Sequence, residues 1–390
     1  MMPAFTDIKT AFSYKTGADL RRGLFLFRLI SNPVLVKIGK KLSDLAIALH
    51  IPIGWALKPT LYKHFVGGET IQDCIPAVRH MAGYGVKSIL DYSVEGGKDP
   101  ATMQRTFDET LKSVINAGND PDIPFAVFKP TAFATADVLT RLSSSETPDA
   151  QAQDGIGKFR DYVGKLCETA YQKQVPIMID AEDSWYQSIV DQVVTEMMEK
   201  YNKQKAIVFN TLQMYRTDRL DFLKESLRKA KASNYFLGVK FVRGAYMEKE
   251  RKRAAENGYP SPIQSDKPAT DAAYDAALTF SVENIDRITI FSGSHNENSN
   301  LHLTRLMEQH GIAKNDLRIW FSQLYGMSDH ISFNLANEGY NVAKYVPFGP
   351  IRNILPYLMR RAEENTSIAG QTGRELSLIK AEIKRRKSEM

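Results

Sequence analysis

Short runs of apolar, β-branched and aromatic residues recur along the chain, and longer segments with a different spacing separate them. Eight of these runs have the length and composition of β-strands. They are Ser88–Asp91, Phe125–Lys129, Ile177–Asp180, Ile207–Leu212, Gly238–Val242, Ile288–Phe291, Ile319–Phe321 and Ala343–Val346. An earlier candidate strand, Leu61–Val66, precedes them.

The segments between the runs carry apolar residues three and four positions apart, which predicts helices. They are Thr102–Ala117, Ile156–Lys173, Ile189–Tyr201, Arg216–Ser233, Ala269–Asn284 and Leu301–His310. Alternating strands and helices predict a parallel sheet with right-handed crossovers. Eight repeats favour a (β/α)8 barrel of the TIM type, and an open doubly wound sheet is the alternative. No Gly-x-Gly-x-x-Gly string follows a predicted strand, which argues against a dinucleotide fold of the open type.

Helical spacing also covers residues 18–57, where Asp19 and Ser43 are the expected helix caps. Two polar stretches, Ser143–Asp154 and Asn257–Lys267, predict surface loops. We therefore expect three parts, which are an N-terminal helical extension at residues 1–60, a barrel at residues 61–375 and a basic helical tail at residues 376–390.

The composition is that of a globular protein, with 43% hydrophobic and 25% charged residues. Much of the net charge of +6 comes from Lys380–Lys387, where no aromatic residue is available to stack on bases, so nucleic-acid binding is not expected. The two cysteines, Cys74 and Cys167, are far apart and suit a reducing compartment. We find no signal-peptide pattern and no run of the roughly 20 apolar residues that span a bilayer. We expect a soluble, cytoplasmic protein that touches the inner membrane only at its surface.

Polar residues collect at the carboxyl ends of the predicted strands, where barrels of this type carry their chemistry. They are Asp91, Lys129, Asp180, Glu182, Gln213, Ser294, His295, Gln323 and Tyr345. Each alone has an ordinary structural explanation, such as a helix cap, a solvated lysine or a hydrogen-bonded core histidine. Together they predict a pocket for a small anion beside a larger polar ligand. No His-x-His or Glu-x-x-His spacing accompanies His295, so no metal site is expected.

A helix after the last strand adds further candidates. Tyr357, Arg360, Arg361 and Glu364 fall at i, i+3, i+4 and i+7, on one face of a helix that Pro350 could begin. Two guanidinium groups beside a phenol suit a small planar carboxylate. A solvated, salt-bridged helix face is the alternative reading of the same spacing.

These positions resemble the proline dehydrogenase (proline oxidase) family in strings that keep the family's order from about Phe65 to Asn365. The strings include Ile-Leu-Asp91-Tyr, Val-Phe-Lys129, Met-Ile-Asp180-Ala-Glu182, Thr-Leu-Gln213-Met-Tyr, Val-Lys240-Phe-Val-Arg-Gly244-Ala245-Tyr246, Ser294-His295-Asn296, Tyr345-Val-Pro and Tyr357-Leu-Met-Arg360-Arg361-Ala-Glu-Glu364. The N-terminal Phe-Leu-Phe-Arg-Leu-Ile and the string Tyr-Gly-Met-Ser-Asp-His330 are similar to the monofunctional, eukaryotic-style branch.

The resemblance implies a distorted (β/α)8 barrel that binds FAD without a covalent bond. It implies that the enzyme oxidises L-proline to Δ1-pyrroline-5-carboxylate by hydride transfer to flavin N5, in proline catabolism. A membrane quinone would accept the electrons, and a pyrroline-5-carboxylate dehydrogenase is a further expected partner.

Carried over position by position, the resemblance assigns three sets of residues. The substrate would be bound by Arg360, Arg361, Lys129, Tyr345, Tyr357 and Leu324. The catalytic positions would be Asp91, Asp180 and Lys240. FAD would be bound by Gln213, Lys240, Val242, Gly244, Ala245, Tyr246, Thr270, Ser294, His295 and Glu364.

Three positions depart from the family pattern. Lys240 stands where several bacterial members carry arginine, Met247 replaces an aromatic residue, and Ser322 stands where others have glutamine. Lys240 bears most on the flavin, because a cation near N5 favours the reduced form. Tyr345 bears on the substrate, because a phenol there crowds a ring hydroxyl and so favours proline over 4-hydroxyproline.

Two other functions stay open at this point. One is a hydroxyproline dehydrogenase on the same scaffold, and the other is a catalytically inactive barrel that binds a metabolite or a partner. The intact Arg360, Arg361, Lys129, Asp91 and Tyr345 argue against the inactive barrel, because loss of catalysis would be expected to affect them early.

Replacing Arg361 by methionine tests the expected carboxylate clamp. We expect the KM for L-proline in steady-state kinetics to rise by a factor equivalent to roughly 2–5 kcal/mol, because a charge-paired contact is lost. An unchanged KM would remove Arg361 from the clamp.

Overall fold

Eight parallel strands form the centre of the protein, and helices surround them. The computed structural model describes residues 3–32, 58–93, 99–144, 150–351, 353–355, 357–359 and 371–389. The strands are β1 (Val86–Tyr92), β2 (Ala126–Phe128), β3 (Ile177–Ile179), β4 (Val208–Gln213), β5 (Leu237–Val242), β6 (Ile288–Gly293), β7 (Ile319–Leu324) and β8 (Val342–Phe348). Each of the eight predicted runs forms a strand, and the expected α/β barrel is confirmed.

Helices precede, separate and follow the strands. They are α1 (Ile8–Ala11), α2 (Gly17–Ile30), α3 (Lys63–Phe65), α4 (Ile71–Ala82), α5 (Pro100–Asn119), α6 (Ala136–Ser143), α7 (Ala150–Lys173), α8 (Gln187–Tyr201), α9 (Arg219–Ala232), α10 (Met247–Asn257), α11 (Lys267–Glu283), α12 (Glu297–Gln309), α13 (Asp329–Asn337) and α14 (Gln371–Ser388). Residues 351, 353–355 and 357–359 are also helical. The six helices predicted between the strands are confirmed, with shifted ends.

Three local predictions are wrong. Leu61–Val66 is helical as far as Phe65, because Tyr62 and Phe65, three positions apart, both pack into the interior. Residues 150–154 of the predicted loop Ser143–Asp154 open α7. Asp19 is the third residue of α2, and Thr16 is its cap. Ser43 and the remainder of the predicted helical segment, residues 33–57, lie outside the described residues.

The sheet closes almost completely on itself. Its order is β1-β8-β7-β6-β5-β4-β3-β2, with parallel neighbours throughout. The backbone N–H of Ser88 in β1 donates to the carbonyl oxygen of Asp122, just before β2, at 2.9 Å. The two end strands therefore meet, as closure of a barrel requires.

Side chains that point into the barrel follow the two-residue period of a strand. Four aromatic residues pack together inside the barrel, and we call them the aromatic plug: Phe125, Phe291, Trp320 and Phe209. The ring centroids of Phe291, Trp320 and Phe209 lie 5.0, 5.3 and 5.7 Å from that of Phe125. Ionisable residues take the next inward position along three chain segments, two residues after an apolar inward residue. Asp91 comes two residues after Ile89, Lys129 two after Val127, and Asp180 two after Met178. An apolar floor thus lies beneath a charged layer.

The N-terminal and C-terminal helices pack on each other beside the barrel. Phe12 and Phe27 share a buried cluster with Leu378 and Ile379 of α14. Arg386 of α14 also donates to the carbonyl oxygen of Phe12 at 2.8 Å. The segment predicted as a basic tail is thus packed along one face, and the three-part division of the chain stays a prediction. None of the helices in the described parts of the chain is long and apolar enough to cross a bilayer.

His64 is buried where α2 and α3 meet the connection after β7. Its ring packs edge-on against Phe65 and Phe27, with centroids 4.6 and 5.5 Å away. Its Nε2 lies 2.9 Å from the carbonyl oxygen of Gly326, which can only accept, so Nε2 carries the proton. Gly326 has a φ of +78°, and a Cβ there would collide with the backbone of His64. Burial lowers the pKa of His64 to about 3, so the ring is neutral near pH 7.

We expect His64 to make the protein less stable as the pH falls from 7 to 5. The unfolded histidine, with a pKa of about 6.5, binds a proton that the folded ring does not hold, and each pH unit in this window costs up to about 1.4 kcal/mol. In His64→Gln, which keeps a donor for Gly326, the loss of unfolding free energy between pH 7 and 5 should be smaller by roughly 2 kcal/mol. Urea unfolding at both pH values measures it. The exposed His310→Gln is the control, and an equal pH dependence in both variants would contradict the assignment.

Candidate active site

A cavity of about 630 Å³ opens at the carboxyl ends of the strands. The predicted site residues that line it are Asp91, Lys129, Asp180, Gln213, Lys240, Val242, Gly244, Ala245, Tyr246, Ser294, His295, Leu324, Tyr345 and Tyr357. Thr270 is buried on α11, apart from these lining residues, and its hydroxyl donates to the carbonyl oxygen of Asp266 at 3.0 Å. Arg360, Arg361 and Glu364 lie outside the described residues.

Acidic and basic side chains alternate around the inner part of the cavity. Lys129 Nζ lies 2.9 Å from Asp91 Oδ2 and 3.8 Å from Asp180 Oδ2. Lys240 Nζ lies 2.5 Å from Asp180 Oδ1. The four side chains are 3–14% exposed. Burial removes the hydration of a charged group, and a neighbour of the same charge would add repulsion to that cost. Because acidic and basic groups alternate, their attraction offsets the lost hydration and four ionised groups can share this space.

Tyr345 completes the inner part of the cavity. Its hydroxyl accepts a hydrogen bond from Lys240 Nζ at 3.1 Å and donates to Asp180, whose oxygens lie 3.1 and 3.2 Å away. Burial and the nearby carboxylates of Asp180 and Asp91 raise the pKa of Tyr345 well above its usual value, so the phenol is neutral. Leu324, its partner in the β7–β8 ladder, supplies an apolar wall.

Glu182 fixes two strand ends relative to each other. Its carboxylate accepts the N–H and the hydroxyl of Thr131 at 2.9 and 2.7 Å, which joins the turn after β2 to the loop after β3. The side-chain amide of Gln213 donates to the carbonyl oxygen of Glu182 at 2.6 Å. Lys129 and Asp180, which lie just before these two segments, are therefore held at a defined separation.

The chain after β5 offers its backbone to the outer part of the cavity. Gly244 has a φ of +127°, and a Cβ there would lie 2.6 Å from the ring of Tyr215, so the position requires glycine. The helix α10 then begins at Met247, and among the described residues no side chain caps it at Tyr246. Backbone N–H groups at the start of a helix favour an anionic ligand.

Arg243 lines this outer part and is not among the site residues predicted from the sequence. Its Nε donates to Asp271 at 2.7 Å, its Nη1 to Ser294 at 2.8 Å and its Nη2 to Ser299 at 2.9 Å. Its guanidinium carbon lies 4.5 Å from the ring centroid of Tyr274. Its position directly after β5 could have identified Arg243 from the sequence, because the other polar candidates were identified by their positions at strand ends.

The rim of the cavity holds an ion cluster whose members are also absent from the predicted site residues. Glu297 Oε1 lies 3.0 Å from His330 Nε2 and 2.9 Å from Arg374 Nε. The hydrogen bonds from His330 and Arg374 lower the pKa of Glu297 to about 2, so its carboxyl group is ionised. Arg374 belongs to α14, after the barrel, and no strand-end pattern could have identified it.

The cavity thus has two chemically different parts. The inner part pairs ionised groups with a neutral phenol and a leucine, which suits a small charged molecule that has an apolar body. The outer part offers backbone N–H groups and a held guanidinium, which suits a phosphate-bearing ligand.

An almost closed parallel barrel with a charged cavity at the carboxyl ends of its strands defines a (β/α)8 protein whose site is placed as in enzymes of this fold. The sequence model of the family described as proline dehydrogenase matches residues 74–374. The chain therefore belongs to the proline dehydrogenase family.

Similar proteins come from bacteria and eukaryotes. The chain is 34% identical over 322 residues to the carbapenem antibiotics biosynthesis protein CarD of Pectobacterium carotovorum subsp. carotovorum, and the match covers 83% of each chain. It is 30% identical over 418 aligned residues to hydroxyproline dehydrogenase of Xenopus laevis, covering 96% of this chain and 88% of that protein. It is 31% identical over 387 residues to mitochondrial proline dehydrogenase 1 of Dictyostelium discoideum, covering 87% and 67%. The resemblance to the eukaryotic-style branch is confirmed.

The fold has solved counterparts. A crystal structure of proline utilization A (PutA) from Bdellovibrio bacteriovorus, inactivated by N-propargylglycine, matches with a TM-score of 0.71 at 20% identity, covering 94% of this chain and 37% of that chain. At this identity the likeness shows the barrel fold alone. The chain spans 31–43% of the length of six such PutA chains.

We expect Asp180→Asn to lower the free energy of unfolding by about 3–5 kcal/mol, because it leaves buried lysines without their shared carboxylate. Adding Lys240→Met should restore part of the loss, with a coupling of on the order of 1–3 kcal/mol in denaturant unfolding. The exposed pair Asp154 and Lys158 provides the control cycle, where the coupling should stay below about 1 kcal/mol. Additive effects at Asp180 and Lys240 would show that the two charges do not depend on each other.

Proposed function

We propose that the protein is an FAD-dependent L-proline dehydrogenase that oxidises L-proline to Δ1-pyrroline-5-carboxylate. The observation that carries the proposal is the inner cavity, where alternating charges meet the neutral phenol of Tyr345. In a chain of this family, such a cavity meets the needs of a small zwitterion with an apolar ring. Ionised groups receive the carboxylate and the amine, and flat or branched side chains cover the ring.

Three apolar or aromatic side chains and three cations would hold the substrate. Tyr345, Tyr357 and Leu324 line the cavity and are proposed to pack on the ring. Lys129 is proposed to bind the carboxylate together with Arg360 and Arg361. These two arginines are included on the basis of the family resemblance alone. Clamping both ends of a small molecule fixes the ring carbon next to nitrogen in one place, which is the main requirement for hydride transfer.

Asp91 and Asp180 are proposed to orient the lysines and not to act as the base. Each carboxylate already faces an ammonium group, Lys129 for Asp91 and Lys240 for Asp180. We therefore propose that the substrate amine loses its proton to water before or after binding. A pH–rate profile with an acidic limb set by an enzyme carboxylate would contradict this step.

The outer part of the cavity fits FAD. Arg243, the backbone of Gly244 and the backbone N–H groups at the start of α10 suit a pyrophosphate. When bound, FAD supplies the hydride acceptor of the reaction. Lys240 brings a positive charge to the inner part of the cavity, where it would favour the reduced cofactor if the flavin ring extends to it. The remaining proposed contacts are Gln213, Val242, Ala245, Tyr246, Ser294 and His295, which line the cavity, and Thr270 and Glu364, which follow from the resemblance.

The proposed electron acceptor is a membrane quinone, and a pyrroline-5-carboxylate dehydrogenase is the proposed partner for the product. One surface supports contact between a cytoplasmic protein and the inner membrane. On α2, Phe25 and Leu29 are 55% and 37% exposed, and Arg21 and Arg28 are exposed beside them. Apolar side chains flanked by arginines suit an anionic lipid surface, and flotation with anionic liposomes tests this contact.

The second candidate function is a hydroxyproline dehydrogenase, which the similarity to the Xenopus laevis protein of that name favours. Tyr345 argues against it, because its hydroxyl already bonds Lys240 and Asp180, and we propose that its ring would crowd a hydroxyl group on the substrate ring. A catalytically inactive barrel that binds a metabolite or partner is the third reading. It would not need a redox cofactor.

An anaerobic absorbance spectrum of the purified protein, recorded before and after adding L-proline, tests the proposal. We expect the visible bands of an oxidised flavin and their bleaching by L-proline, because the substrate reduces the cofactor. The same experiment with 4-hydroxyproline is the matched comparison.

Each outcome separates the candidates. Bleaching by 4-hydroxyproline with no response to L-proline would transfer the assignment to the second candidate. A protein that is colourless and does not take up added FAD would overturn the proposed function and favour the inactive barrel.

A further inference from the structure

Ser328, on the rim of the cavity, has a backbone conformation that needs support from elsewhere. Its φ is +51°, in the left-handed region that residues other than glycine seldom adopt, and the residue is fully buried. It is the cap residue of α13, yet its side chain makes no capping hydrogen bond. A serine at this position ordinarily uses its hydroxyl to accept a backbone N–H of the first turn.

Glu375 of α14 holds this residue through its backbone. Its carboxylate accepts the N–H of Ser328, and the side chain is buried with 2% exposure. The neighbouring Asp329 pairs with Lys15 at 2.5 Å and with Lys344 at 2.9 Å. Lys15 and Lys344 both attract the Glu375 carboxyl group, but burial and the neighbouring Asp329 raise its pKa above the usual value.

The hydroxyl of Ser328, which does not cap the helix, contacts His295 instead. His295 Nδ1 lies 2.9 Å from Ser328 Oγ, and the backbone N–H of Leu324 donates to His295 Nε2 at 3.4 Å. A backbone N–H can only donate, so Nε2 must be the acceptor. The ring proton therefore lies on Nδ1, from which it is donated to Ser328 Oγ.

We propose that Glu375 and Ser328 are positioning residues: Glu375 holds Ser328 so that its hydroxyl fixes His295 with the proton on Nδ1. Ser328, His295 and Leu324 all line the cavity, and Leu324 pairs with Tyr345 in the sheet. The C-terminal helix thereby acts on the wall where the proposed cofactor and substrate meet. The effect on FAD rests on the proposed function, whereas the tautomer of His295 does not.

The tautomer can be measured by ¹⁵N NMR on protein labelled at its 7 histidines, with His295→Gln to assign the signal. In the unaltered protein we expect a protonated Nδ1 and an unprotonated Nε2. Ser328→Ala and Glu375→Ala should shift the population away from this tautomer, because Nδ1 loses its 2.9 Å acceptor and only the longer 3.4 Å contact from the Leu324 N–H still favours it. Glu375→Gln should retain it, because the amide oxygen can still accept the N–H of Ser328.

Glu382→Ala is the matched control. Glu382 lies on the same helix and is also buried, but it bonds Arg385 and Arg386 and does not line the described part of the cavity. It should leave the His295 signal unchanged even where it lowers Tm. The Kd for FAD is the second readout, and it should rise about tenfold in Ser328→Ala and Glu375→Ala, as expected for one lost hydrogen bond at a site residue.

A His295 signal that stays protonated at Nδ1 in Ser328→Ala and Glu375→Ala would overturn the proposal. An equal change in Glu382→Ala would do so too, because it would reveal a general effect of loosening α14. Ser328→Ala is a small change, so the test stands even if Glu375→Ala does not fold. If the unaltered protein binds no FAD, the proposed function fails, while the tautomer measurement still decides the positioning role.

Discussion

The pairing of opposite charges above the aromatic plug is the constraint on which the cavity depends. Asp180 lies between Lys129 and Lys240, and Asp91 balances the first lysine from β1. A buried ammonium group is costly unless a carboxylate lies beside it, so the position of each side chain constrains that of its neighbour. Glu182 extends this constraint to the backbone by tying together the segments after β2 and β3. The apolar floor makes any mismatch more costly, because charges interact more strongly where the surroundings polarise less.

Much of the fold follows from local pattern, because strands and helices bury their apolar residues with different periods. The eight strands carry this signal clearly, and so do the six helices between them. Leu61–Val66 fails because a short apolar run has the same composition in a strand and in a buried helical turn. Its conformation is decided by packing against α2 and α14, which lie close in space and far away in the sequence.

The candidate site likewise contains residues that the sequence pattern identifies and residues that it does not. Strand ends identify Asp91, Lys129, Asp180 and Tyr345 because parallel strands deliver their carboxyl ends to one edge. The partners that hold the rim arise differently. Arg374 and Glu375 reach it only because α14 folds back across the barrel, and no spacing along the chain encodes that return.

The position of α14 has a consequence for how the protein is made. This helix is synthesised after all eight strands, and α2, one of its packing partners, is synthesised before them. During translation, the apolar face of α2 therefore has no α14 to pack against, and Lys344 is synthesised before Glu375. The cavity can take its final shape only when α14 has left the ribosome. The barrel is therefore made before the helix that completes the rim of its cavity.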